Sequence, residues 1–89
     1  MVSARMTTNG LVTVFVSGNF FMIHPGHIRF LRFASECGSR LIVGVNNTQP
    51  NVNYPTPAER VETLKSLDFV DEVLLMENGL ESTLRALRP

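Results

Sequence analysis

Two nearly unbroken apolar runs, LVTVFVSG at residues 11–18 and RLIVGVNN at 40–47, flank a segment whose apolar residues recur at helical spacing. A strand with one wet face alternates apolar and polar residues. A run without that alternation must be covered on both faces, as in a parallel sheet sandwiched between helices. Between the runs, Ile28, Leu31 and Ala34 recur every third residue, flanked by Phe30, Phe33 and Cys37, and Gly38 closes the pattern. The spacing predicts a helix beginning near Gly26 with a wide apolar stripe.

The alternation continues downstream. The segment TQPNVNYP (48–55) reads as a loop, and TPAERVETLKSLD opens with an N-cap oxygen on Thr56, a first-turn proline at Pro57 and a capping-box carboxylate on Glu59. A third strand, DEVLLMEN (71–78), follows, and Leu80, Leu84 and Leu87 carry a last short helix that runs into Pro89. The order βαβαβα predicts an α/β, Rossmann-like three-layer fold with a short parallel sheet and right-handed crossovers, lacking the second half of a doubly wound sheet. Residues 1–10 show no apolar period and read as a disordered lead-in, leaving 11–89 as a partial domain. On that reading the first strand has an unpaired edge, which predicts a homodimer, an added partner strand or the remainder of a longer chain.

Composition narrows the function. Eight Lys and Arg balance eight Asp and Glu, so no net field recruits nucleic acid or an anionic membrane, and an anion site has to be local. The one cysteine, Cys37, forms no internal disulfide, and the start carries no secretory pattern, which together predict a reducing, cytoplasmic setting. No apolar run approaches the roughly 18 residues of a membrane span. A zinc site built from His24, His27 and Cys37 is excluded by reach: the cysteine lies about 15 Å farther along the helix, against metal bonds of about 2 Å.

The chemistry concentrates in GNFFMIHPGH, the turn after the first strand. In open α/β sheets ligands sit beyond the carboxyl ends of the strands, and this turn is the usual phosphate contact. Gly18 and Gly26 let backbone approach a ligand, Pro25 stiffens the bend, and the helix start aims N–H groups and partial positive charge at an anion. His24 and His27, three apart, can face the same point, where imidazoles can donate to phosphate oxygens.

The stretch GNFFMIHPGHIRFLRFASECGSRLIVGV resembles the N-terminal half of the cytidylyltransferase-like nucleotidyltransferases, whose pattern is G-x-F-D-x-x-H-x-G-H-x-x-x-L followed by a strand. The segment ERVETLKSLDFVDEVLL is similar to the family's next helix and strand, and glycerol-phosphate cytidylyltransferases and the adenylyltransferase domain of heptose-phosphate enzymes look closest. The resemblance implies transfer of a nucleoside monophosphate from CTP or ATP to a phosphorylated sugar or alcohol, with Mg²⁺ and release of pyrophosphate. It implies catalytic roles for His24 and His27, nucleotide contacts from Gly18, Asn19, Phe20 and Gly26, and a phosphate contact from Arg60. Two positions depart from the pattern: Asn19 stands where Thr or Cys is usual, and Phe21 where the family has Asp. The loop 48–55 also has no Lys or Arg. The alternative is a degenerate, non-catalytic nucleotide-binding or assembly module.

Overall fold

The computed structural model describes residues 2–21 and 23–87. Its elements are β1 (Val2–Thr8), β2 (Leu11–Gly18), α1 (Pro25–Glu36), β3 (Arg40–Asn46), α2 (Pro57–Lys65), β4 (Glu72–Met76) and α3 (Gly79–Leu87). The expected run of the last helix into Pro89 lies outside the described residues.

The sheet has four strands in the order β1-β2-β3-β4. The pairs β2–β3 and β3–β4 are parallel, with Val16 opposite Val43 and Val43 opposite Val73, as the apolar runs require. The pair β1–β2 is antiparallel, with Met6 opposite Thr13 and Thr8 opposite Leu11. This corrects the reading of residues 1–10 as a disordered lead-in and of the first strand's edge as unpaired. The cause is the two-residue turn: Asn9 and Gly10 both have positive φ, 52° and 81°, the requirement of the tight hairpin turn whose twist matches its flanking strands. Period-two alternation follows, with Ala4 and Met6 half-buried while Ser3, Arg5 and Thr7 are exposed.

Helices cover both faces, giving three layers. On one face Leu31 and Ala34 of α1 and Leu64 of α2 pack on Val14, Val16, Leu41, Val43 and Val45, all buried. On the other, Leu80, Leu84 and Leu87 of α3 pack with Met6 around Phe15, Ile42 and Met76. Gly44 is required there, since a Cβ on it would stand 2.7 Å from Phe15 Cζ and 2.8 Å from Met76 Sδ. The stripe on α1 is narrower than its sequence suggests. Phe33 is 65% exposed, because at about 100° per residue it lies on the opposite side of the helix from Leu31. No helix among the described residues is long and apolar enough to cross a membrane.

Candidate functional site

The carboxyl ends of β2 and β3 are tied together where the site begins. Asn46 donates from Nδ2 to Asn19 Oδ1 at 2.8 Å, linking the residue that ends β3 to the first residue beyond β2. The chain then passes through Phe20, buried and held at a φ of 53°. A bulky residue in the left-handed region is strained, and surrounding structure must over-determine it. The turn delivers the chain to His24, the N-cap of α1, in extended conformation with φ −123° and ψ 169°.

His24 caps with its ring. Its Nδ1 accepts the N–H of Gly26 at 3.0 Å, which in the neutral imidazole assigns the proton to Nε2 and makes that edge a donor. The ring lies so close over Gly26 that a Cβ there would stand 2.8 Å from His24 Cε1. His27 stacks on His24 with centroids 3.9 Å apart and planes at 29°, and meets Phe20 edge-on at 6.2 Å. His27 Nδ1 is buried with no hydrogen-bond partner among the described residues.

The amide supply at this helix start differs from the sequence expectation. Pro25 has no N–H, Gly26 donates to the His24 ring, and His27 and Ile28 both donate to the His24 carbonyl. The aligned peptide dipoles of the twelve-residue helix still point positive charge at this end. Hydrogen bonds to a ligand there fall to imidazole edges and side-chain amides.

These groups line an open cavity of about 590 Å³ at the carboxyl rim of the sheet. Gly18, Asn19, Phe20, His24 and His27 all reach its wall, with Asn46, Tyr54 and Phe21 beside them. Gly26 lies directly beneath the His24 ring. A second cavity of about 610 Å³ opens at the opposite rim, where Arg40 is already paired with Glu72 at 2.7 Å.

Arg60 lies apart from this wall. It comes from the first turns of α2, whose start is fixed by a complete capping box: Glu59 N–H donates to Thr56 Oγ1 at 3.2 Å and Thr56 N–H to Glu59 Oε1 at 3.0 Å. Those bonds hold the Glu59 carboxyl below its ordinary range, the backbone bond from Thr56 contributing most. The Arg60 side chain is only 1% exposed. Its Nη1 donates to the carbonyls of Asn19 and Asn46, and its Nη2 to the carbonyl of Thr48. Burial pulls the guanidinium below its ordinary pKa, though arginine keeps its proton in proteins. The resemblance implied a phosphate contact from Arg60; in the structure Nη1 and Nη2 bond the two loops that frame the cavity, which turn their carbonyls towards α2, while Nε is buried with no hydrogen-bond partner among the described residues. The Phe21 ring caps the same guanidinium at 4.9 Å and leans on Tyr54 at 5.4 Å. Sequence reasoning missed Asn46 and Tyr54 as members of the wall. The asparagine at the end of a buried run was the available signal for the first, and nothing local marked the second.

The donor set around the cavity does not suit Mg²⁺, which binds through carboxylate and phosphate oxygens. All of the chain's Asp and Glu residues are among those described, and none lines the cavity. No cluster of three His, Cys, Asp or Glu residues that could hold a metal occurs among the described residues.

A ring-capped helix start with paired imidazoles at a parallel sheet's carboxyl rim belongs with the sequence pattern around it. The family model described as cytidylyltransferase-like matches residues 15–86. The chain belongs to the cytidylyltransferase-like family. Among the relatives of this cytidylyltransferase-like chain, an FAD synthase from Pyrococcus abyssi is 39% identical over 83 residues, covering 83% of this chain and 54% of that protein. The bifunctional protein HldE of Campylobacter fetus is 32% identical, covering 96% of this chain and 20% of its own. The chain thus spans about half the length, or less, of these curated relatives. A solved structure, the lipopolysaccharide core biosynthesis protein from Thermoplasma volcanium, shares the fold with a TM-score of 0.78 at 24% identity, over 90% of this chain and 70% of that one.

Proposed function

We propose that the cavity binds the phosphates of a nucleoside triphosphate, ATP or CTP, and that the chain serves transfer of the nucleoside monophosphate to a phosphorylated sugar or alcohol. The observation that carries this reading is the His24 ring. Its Nδ1 is committed to Gly26, so Nε2–H is held as a donor beside the stacked His27, at the positive end of α1. In such a transfer an oxygen of the acceptor's phosphate attacks the α-phosphorus, the bond to the α–β bridging oxygen breaks, and pyrophosphate leaves. The imidazole donors stabilise the charge that moves onto the phosphate oxygens, a contribution worth about 10²–10³-fold in rate per preorganised donor. Membership of the family and the resemblance to FAD synthase and HldE support nucleotidyl chemistry in general.

A second reading, nucleotide binding without transfer, is favoured by Phe21, which puts a phenyl ring where the family pattern has a carboxylate. Two measurements separate the readings. Thermal-shift titration with ATP and CTP is expected to raise the melting temperature of the wild type and to lose that response in His24→Ala. Pyrophosphate release with phosphorylated sugars and alcohols as acceptors is expected for transfer. Binding without release favours the second reading, and no shift with either nucleotide refutes both.

A further inference from the structure

Resting on the reading of this cavity as a nucleotide site, we propose that it takes the polyphosphate as the uncomplexed anion, without a protein-held Mg²⁺. Phosphate-transfer sites that hold Mg²⁺ use one or two carboxylates besides the nucleotide's own oxygens. Here every carboxylate is placed elsewhere. Glu59 is engaged in the capping box, Asp71 accepts the N–H of Leu41 at 2.7 Å, and Glu72 and Glu81 are paired with Arg40 and Arg85. None of the remaining acids reaches the wall.

Position 21 carries the argument further. The family's Asp there would place a negative charge at the cavity edge. Phe21 instead lays its ring against Arg60, with the guanidinium carbon 4.9 Å from the ring centroid and the Tyr54 ring centroid 5.4 Å from its own. A carboxylate beside this buried cation would neutralise it. A phenyl ring stabilises it by cation–π attraction and leaves its charge in place. The field at the mouth is therefore set by Arg60 behind Phe21, the dipole of α1 and the donor edges of two imidazoles, with no fixed anion to oppose them. Mg²⁺ on the nucleotide cancels part of the charge this arrangement attracts and finds no carboxylate on the wall.

Isothermal titration with ATP and CTP, in EDTA and in excess MgCl₂, tests the inference. The expected result is binding in EDTA at least as tight as in Mg²⁺, by up to about tenfold. Binding only with Mg²⁺ overturns the inference while leaving the nucleotide reading intact. No binding under either condition removes the nucleotide reading and the inference together. Phe21→Asp, whose new carboxylate can pair with Arg60 and so preserve the fold, is expected to shift the preference towards the Mg²⁺ complex. A folded Phe21→Asp protein with the wild-type preference overturns the role given to position 21. As a check that needs no variant, Mg²⁺ alone is expected to leave the amide NMR signals of Asn19, Asn46 and His27 unmoved. Saturable shifts at these residues overturn the proposal.

Discussion

At the scale of single residues, Gly26 and Arg60 do unlike work at the same mouth. Gly26 is small so that His24 can lie over it, with ring atoms 2.8 and 3.1 Å from where a Cβ would stand. Gly26→Ala drives the ring out of its N-cap pose, and the lost cap costs about 1 kcal/mol. The larger expected effect is on ligand affinity, a loss of about tenfold read by calorimetry. Arg60 holds three carbonyls from two loops. In Arg60→Met those acceptors lose their donors, and a destabilisation of about 2–4 kcal/mol is expected in urea unfolding. Arg60→Lys should recover only part of it, because a point charge cannot span the loops as a planar fork does. The role of Gly26 could be read only in part: the need for a small residue was legible, but as room for a ligand, whereas the space is taken by the His24 ring. That of Arg60 could not, because its burial arises from loops at 19, 46 and 48 converging on one side chain, and nothing within five residues of it records their approach.

At the scale of elements, the start of α2 was legible because every part of its signal is local: Thr56, Pro57 and Glu59 lie within four residues and all act as read. Thr56→Ala is expected to lower stability by about 1 kcal/mol. The Glu59 carboxyl has a folded-state pKa depressed below its ordinary 4.5, so its contribution is present above that value and is lost as pH falls through the lower, folded one. Melting temperature followed from neutral to acid pH should fall less steeply below about 4.5 in Glu59→Gln than in wild type. Strands β2, β3 and β4 were equally legible from apolar continuity. The hairpin turn is written in Asn9-Gly10, but SARMTT is short of the β-branched apolar residues that announce the other strands, so residues 1–10 read as a lead-in. Phe33 erred in the opposite direction: aromatic character suggested burial, and the helical angle decided against it.

At the scale of the whole molecule, the three parallel strands and the helices on both faces follow from alternating patterns along the chain, while strand β1 and the convergence at Arg60 depend on contacts between distant segments. The expectation of a dimer through β2 loses its basis, because β1 pairs with that strand along its length. Removing residues 1–10 restores the exposed edge. The truncated protein is expected to melt lower and to self-associate with rising concentration in sedimentation, whereas the full chain should show the weaker concentration dependence.

The backward fold at Asn9 and Gly10 also decides how this sheet can be extended. In a doubly wound architecture the strand order reverses beside the one that leads into the ligand turn, and here that flank is occupied by the chain's own beginning. Among the described residues the outer strands of the sheet are β1 and β4, and a newcomer would add there. To lie against β2 it must first peel the hairpin away, so enlargement at that flank would proceed by exchange of one neighbour for another, with a barrier set by the bonds surrendered before any are regained.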